Sequence, residues 1–426
     1  MAASGSGALK GIALIAHGGG PSPVLNSSLA GVVSECRKHP EITALYGASQ
    51  GLPGVLSERL LDLGSQDPDL IRRVGEAPSS ALGTSRRPLT EEDFARVSAV
   101  FRKRNIRYFF YNGGNGSMDT AHRLDSWFRV NGPEVRVIGI PKTIDNDLMG
   151  TDHSPGYATT ARFFACAVQD IGADNRALPS VTLVEVLGRN AGWLAAATAF
   201  ARHDPDDAPH LIYLPERRLP VEQLLDDVDQ VHRRLGRAVV VVCEGQLDEH
   251  GQPFGADVRT TSRQPLALNL AHTLAQTISA RLGVSARSEK PGLLGRSSVA
   301  YGAPHDRDEA RMCGEAAVQA AVSGETDKMV TLVREPGAAY QVHTSLVALE
   351  AVANLERPFP RGWMGSGSDN ALTPEFRDYA APLLAVLVEN VKVPGQVRER
   401  TGPALIHNQL VDRSLQTNVC DESCVP

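Results

Sequence analysis

Residues 108–117 read Tyr-Phe-Phe-Tyr-Asn-Gly-Gly-Asn-Gly-Ser, and residues 135–147 read Val-Arg-Val-Ile-Gly-Ile-Pro-Lys-Thr-Ile-Asp-Asn-Asp. Each starts as a short apolar run and ends in a turn built from Gly, Pro, Asn and Asp. Between them, residues 118–130 have a helical pattern. Strands of this kind, alternating with helices, form parallel sheets covered on both faces. The two turns also carry chemistry. Gly113-Gly114-Asn115-Gly116-Ser117 offers backbone N–H groups to phosphate oxygens. Pro141-Lys142-Thr143-Ile144-Asp145-Asn146-Asp147 adds a cation for a transferring group, a base for an attacking hydroxyl and a carboxylate for a divalent metal.

The same unit recurs outward from this stretch. Ile12–Ala16 precedes Gly18-Gly19-Gly20-Pro21 and a helix near 25–38. Thr182–Val186 leads to Gly188-Arg189-Asn190-Ala191-Gly192 and an Ala-rich helix over 193–202. Ala238–Cys243 ends at Glu244-Gly245. Ligands of such sheets sit beyond the carboxyl ends of the strands, where every one of these turns lies. Segments 203–220 and 246–263 are expected as surface connections and 356–372 as a loop before an amphipathic stretch, 373–390; the last fifteen residues are polar.

At 426 residues the chain exceeds one ordinary core, so two or three domains are expected. Its formal charge of −6 leaves no basic excess for a polyanion and excludes nucleic acid as the main partner. No apolar run approaches a membrane span, and Gly11–Ala16 is too short for a secretory signal core, so a cytoplasmic protein with no membrane partner is expected. The six cysteines are scattered, only Cys420 and Cys424 lying close, and read as free thiols rather than a disulfide framework or zinc site.

Each candidate has a plainer reading. The triple glycine serves equally as a tight strand-to-helix turn. Asp145 and Asp147 around Asn146 fit an ordinary Asx turn, although Lys142 and Thr143 make a poor cap. Arg86-Arg87 is either a clamp on donor phosphates or a solvated pair. Arg189, Glu244 and Arg296, at turns or strand ends, together suit a sugar phosphate: arginine on the phosphate, glutamate on hydroxyls.

In this order, Gly18-Gly19-Gly20-Pro21, Leu82-Gly83-Thr84-Ser85-Arg86, Gly113-Gly114-Asn115-Gly116-Ser117, the 141–147 turn, Glu185-Val186-Leu187-Gly188-Arg189 and Glu244-Gly245 resemble the signatures of the 6-phosphofructokinase family. The resemblance runs in register from about residue 10 to 330. Thr151-Asp152-His153-Ser154-Pro155-Gly156-Tyr157 and the chain length look most like its long bacterial branch, which contains many pyrophosphate-dependent enzymes. It implies an α/β fold of two Rossmann-like lobes with mostly parallel sheets and an active site in the cleft at the strand ends. Residues 1–155 would form a phosphoryl-donor lobe and 156–300 a fructose 6-phosphate lobe. Residues 301–426 would be a helical region packing back on both, with a flexible tail. Asp145, Lys142 and Thr143 would be catalytic, Asp145 taking the proton of the C1 hydroxyl. Gly19, Arg86, Gly114, Gly116 and Ser117 would contact the donor. Thr143, Asp147, Leu187, Gly188, Arg189, Glu244 and Arg296 would hold fructose 6-phosphate, and Asn115 would stand at the Mg²⁺ position. A homodimer or homotetramer is implied.

Three departures from the family pattern stand out. Asn115 replaces the metal-binding aspartate, Ser180 replaces a basic residue that reaches a neighbouring subunit, with Arg176 as its substitute, and Leu293 replaces a His or Tyr. The donor signals conflict. Gly116, in place of the aspartate that repels a nucleotide's α-phosphate, points to ATP, whereas Lys142 points to pyrophosphate. Because the block is missing, ATP is the expected donor and pyrophosphate the alternative. A regulatory paralogue that binds sugar phosphates is a remoter alternative, opposed by the retained Asp145 and Lys142. A dinucleotide-binding oxidoreductase does not fit the first glycine turn.

Overall fold

The computed structural model describes residues 9–255, 258–259, 266–298, 300–337, 339–365 and 372–384. Among them, the strands in chain order are β1 (Gly11–His17), β2 (Ile42–Ala48), β3 (Leu60–Asp62), β4 (Ile106–Gly113), β5 (Arg136–Pro141), β6 (Val181–Val186), β7 (Leu211–Tyr213), β8 (Ala238–Cys243), β9 (Val258–Arg259), β10 (Leu266–Ala267), β11 (Ala286–Glu289), β12 (Lys328–Arg334) and β13 (Val342–Ala348). A seven-stranded sheet has the order β13-β12-β5-β4-β1-β2-β3 and a four-stranded sheet the order β11-β6-β8-β7. The second sheet is wholly parallel, while the first is parallel except at its two edges, β3 and β13. The fold is thus α/β, with two parallel-sheet lobes.

Continuous apolar runs became central strands because both faces of each sheet are covered. All six residues of β8 are fully buried, and each buried valine contributes about 1.5–3 kcal/mol relative to exposure. The first sheet separates a core around Leu14, Phe109 and Val137 from one around Ile15, Phe110 and Ile138. Alternate residues of one strand therefore serve opposite cores. The third region adds more than helices: β12 and β13 extend the first sheet. Its helix Pro304–Val322 lies close against Leu25–Cys36; a Cβ on Gly31 would fall 2.2 Å from the Arg311 carbonyl oxygen, and one on Gly314 2.2 Å from that of Ser28.

Several expectations needed adjustment. Leu211-Ile212-Tyr213, inside an expected surface connection, is the buried strand β7, its short apolar run having been hidden by flanking Pro and Asp residues. The expected connection 246–263 likewise contains β9. The helix expected at 118–130 is Asn115–Asn131, so the glycine motif forms its first turn instead of preceding it. The Ala-rich helix is α-helical only over Trp193–Ala197, then 3₁₀ over Thr198–Ala201. Of the amphipathic stretch 373–390, Pro374–Ala380 is helical; residues 385–426, with the expected tail and Cys420 and Cys424, lie outside the described residues. Cys36, Cys166, Cys243 and Cys313 are buried free thiols. Among the described residues no helix is long and apolar enough to cross a membrane.

Candidate active site

β1, β4 and β5 lie side by side and end at one edge, so their three turns meet there. Gly18 donates its N–H to Asn112 (2.8 Å), Gly19 donates to Ser85 (2.9 Å), and Lys142 donates to Gly113 (3.0 Å). Ser117 sits between the first two turns. A Cβ on Gly18 or on Gly113 would fall 2.2 or 2.1 Å from its hydroxyl oxygen, so both positions require glycine for close approach. Gly116 is exposed in the first turn of the helix Asn115–Asn131, which has no side-chain cap. Backbone N–H groups of that turn face the cleft edge without a capping oxygen, the arrangement that receives an anion.

Lys142 is buried, and its Nζ donates to the carbonyls of Gly18 (3.1 Å) and Gly20 (2.7 Å). A Cβ on Gly19 would lie 3.3 Å from that nitrogen. The ammonium is therefore fixed under the first glycine turn. Burial, and then Arg86, lowers its pKa to about 8. Arg86 and Arg296 converge above: a Cβ on Gly20 would lie 3.0 Å from the Arg86 guanidinium and 3.7 Å from that of Arg296. Desolvation, then Arg296 and Arg189, holds Arg86 below its ordinary value. Four cations so close repel one another unless a polyanion joins them.

The carboxylates lie opposite. The Asp145 N–H donates to Thr143 Oγ1 (3.1 Å), which shapes the turn. Asn146, at φ 55°, is buried in a left-handed conformation; its amide donates to the Tyr379 hydroxyl (2.9 Å) and accepts from the Ser154 N–H (3.0 Å). The flanking carboxylates are thereby turned into the cleft while Asn146 points away. Burial pushes the Asp145 carboxyl up, Glu244 pushes it further, and Arg296, Lys142 and Arg86 draw it back. Burial and the Asp145 charge push Asp147 up as well. Asn115 donates to Asp147 Oδ2 (2.9 Å), leaving Asp147 Oδ1 and Asn115 Oδ1 buried without a hydrogen-bond partner among the described residues. Two orphaned oxygens beside a second carboxylate suit a divalent cation. No group of three or more His, Cys, Asp or Glu side chains among the described residues forms a complete metal site.

The second sheet supplies the far wall. β6 and β8 pair in parallel and end at Gly188-Arg189 and Glu244-Gly245. A Cβ on Gly245 would collide with the Arg189 carbonyl at 1.6 Å, so the two turns are packed backbone to backbone. Leu187 is a core residue, and any ligand role for it falls to its main chain. Arg296 ends the 3₁₀ turn Gly292–Arg296, in which Leu293 is 66% exposed. The electrostatic couplings of Arg86 and Asp145 reach Arg189, Glu244 and Arg296, so residues of both lobes share one cleft.

Three charged groups considered from the sequence serve structure. Arg87 pairs with Asp93 (2.8 Å) at the start of the helix Glu91–Arg104. Glu185 is buried, pairs with Lys290 (2.5 Å) and accepts the Ala271 N–H (3.1 Å). Arg176 pairs with Asp207 (2.5 Å), and Ser180 is buried before β6, at the strand end opposite Arg189.

Sequence reading missed Arg357. Its Nε donates to the Asn146 carbonyl (3.1 Å), its Nη1 to those of Thr151 (2.9 Å) and Asp152 (2.6 Å), and its backbone N–H to Asp147 (2.8 Å). The guanidinium lies 4.5 Å above the Trp193 ring, whose Nε1 donates to the Arg357 carbonyl (3.1 Å). One side chain thus ties the 142–147 turn to the second lobe. Little local marks it, because apart from the Tyr379 hydroxyl (3.4 Å) the partners named here lie more than 160 residues away.

This chain belongs to the phosphofructokinase family, whose model matches residues 12–321. It is 38% identical over 384 residues to a pyrophosphate–fructose 6-phosphate 1-phosphotransferase of Rhodospirillum rubrum, covering 88% of this chain and 94% of that one. The crystal structure of a pyrophosphate-dependent phosphofructokinase from Marinobacter aquaeolei superposes with a TM-score of 0.79 at 32% identity, covering 88% of this chain and 91% of that one. An ATP-dependent 6-phosphofructokinase of Amycolatopsis methanolica is 29% identical over 324 residues, covering 73% of this chain and 69% of that one.

Proposed function

We propose that this chain transfers a phosphoryl group from pyrophosphate to the C1 hydroxyl of fructose 6-phosphate, giving fructose 1,6-bisphosphate and orthophosphate. The observation that carries this reading is the convergence of Lys142, Arg86 and Arg296 around the first glycine turn, together with the charges of Asp145 and Asp147. Asp145 accepts the hydroxyl proton as the new P–O bond forms. Its raised pKa makes it a stronger base than an ordinary aspartate. Lys142 and Arg86 neutralise charge on the transferring and leaving phosphates. Asp147 and Asn115 would hold Mg²⁺, which when bound supplies further neutralisation of phosphate charge. Arg189, Glu244 and Arg296 orient the sugar phosphate, with Leu187 and Gly188 contributing main chain.

The expectation of ATP gives way here. The more similar relatives are named for pyrophosphate, and Lys142 sits where a small diphosphate would meet it. ATP remains the second reading on one observation, the exposed Gly116, which offers no side chain to repel a nucleotide. The same proposal includes lobe boundaries near residues 155 and 300, a homodimer or homotetramer, and action in the cytoplasm.

The test is a coupled assay with fructose 6-phosphate and Mg²⁺, supplying pyrophosphate and ATP separately. Turnover with pyrophosphate and little with ATP is expected. The reverse pattern would move the reading to ATP, and no turnover with either would leave the regulatory paralogue.

A further inference from the structure

A cavity of about 1030 Å³ opens beside the ends of β6 and β8, where Arg189 and Gly245 line it. Three more arginines line it: Arg217 and Arg218 from the loop after β7, and Arg361 from the 3₁₀ turn Arg361–Trp363. They come from segments more than 140 residues apart, yet they meet in one concavity. The Arg217 guanidinium is steadied by the carbonyls of Gly365 (3.0 Å) and Met364 (3.5 Å). Arg218 and Arg361 are exposed, and the Arg361 charge acts on Glu216 across the same wall.

The acids in this wall are engaged with the protein. Glu216 accepts the N–H groups of Gly192 (2.9 Å) and Phe359 (2.7 Å), and burial raises its pKa. Glu356 accepts from the Asn190 amide (2.5 Å). With four arginines against two glutamates, the lining is net positive in a chain whose formal charge is −6. A positive cleft with low-dielectric walls concentrates anions, and guanidinium forks match phosphate oxygens two at a time. No aromatic side chain lines it among the described residues, so a nucleotide base finds no stacking surface.

We propose that this chamber is a second anion subsite. It binds a small phosphorylated molecule through Arg217, Arg218 and Arg361, beside fructose 6-phosphate and not in its place. The acceptor residues assigned above, Glu244 and Arg296, do not line the chamber. Its occupant and the acceptor would therefore share only the wall at Arg189 and Gly245.

The test is calorimetric titration of the full-length protein with orthophosphate and with glycerol 3-phosphate, in saturating fructose 6-phosphate and at constant ionic strength. A Lys142→Met background weakens orthophosphate binding in the donor cradle and isolates the chamber. In that background, Arg218→Gln and Arg361→Gln are each expected to weaken binding roughly tenfold or more, as for loss of a charge-assisted pair. In otherwise wild-type protein, the same two substitutions should leave the KM for fructose 6-phosphate within about twofold, a rim-sized effect. Binding of both probes identifies a phosphate-ester site, and binding of orthophosphate alone a site for the free anion; both support the subsite. Unchanged titrations in both variants overturn it, as does loss of all probe binding when fructose 6-phosphate saturates. Since these readouts need no turnover, failure here is distinguishable from failure of the catalytic reading.

Discussion

The 142–147 turn and the arginine wall across from it serve one cleft but are built on different plans. In the turn, the groups that frame the carboxylates have partners inside the protein. Lys142 rests on two glycine carbonyls, Asn146 is held by Ser154 and Tyr379, and Arg357 closes the far side. In the wall, Arg189, Glu244 and Arg296 are only half-buried, Leu293 is exposed, and Arg86 stands exposed at the cleft mouth. The groups that would act on the reacting atoms are fixed before substrate arrives, which is what electrostatic preorganisation requires. The groups that would recognise substrate await a polyanion to relieve their repulsion. This contrast predicts that changes in the turn lower kcat, whereas changes in the wall raise KM.

The largest effect is expected at Asp145. Asp145→Asn should lower kcat by ~10²–10⁴, the range for a lost general base, while calorimetry still detects fructose 6-phosphate binding. Retention of more than about a tenth of turnover is far outside that range and would remove Asp145 from the mechanism.

Next comes the wall. Arg296→Ala should raise the KM for fructose 6-phosphate roughly 10–100-fold, the cost of a charge-assisted hydrogen bond, with the donor KM nearly unchanged. A shift confined to the donor KM would mean that the two sides of the cleft are assigned the wrong way round.

Arg357 tests whether the rigidity of the turn matters. It lies behind the turn, holding Asn146 and stacking on Trp193. Arg357→Lys keeps the charge but loses the fork, and should cost roughly tenfold in kcat by misorienting the carboxylates, with KM little changed. Equal kcat and a raised KM would show that the clamp orients the wall instead.

The smallest expected effect is in the pH profile. Asp145 must be ionised to accept a proton, and its raised pKa moves the acid limb above the ordinary carboxylate range near about 3.9. Lys142 must be protonated, so activity should fall as pH rises through about 8. Lys142→Arg should move the alkaline limb upward, whatever it does to the maximal rate. An alkaline limb unchanged in that variant would separate Lys142 from the profile.

The same contrast explains what could be read in advance. The turn was legible because one local segment carries its chemistry: the strand Arg136–Pro141 leads directly into Lys142, Thr143, Asp145 and Asp147. Gly18 and Gly113 were legible because close approach leaves few alternatives there. Arg86 and Arg87 could not be separated, since adjacent arginines diverge only when the capping partner Asp93 is in view. Arg357, Tyr379 and Arg361 were invisible because their partners come from the far end of the chain. The lean toward ATP, which the relatives support less well than the pyrophosphate alternative, has a related origin. Gly116 was judged by what it lacks, whereas Lys142, buried beneath the first glycine turn, was the more informative residue.

The central claim is that this cleft moves a phosphoryl group between pyrophosphate and the sugar. The most direct measurement is ³¹P NMR of the protein with Mg²⁺, fructose 1,6-bisphosphate and orthophosphate, without nucleotide. The account predicts a growing pyrophosphate resonance matched by fructose 6-phosphate, absent in Asp145→Asn. No pyrophosphate from active protein, together with rapid ATP formation once ADP replaces orthophosphate, would contradict it.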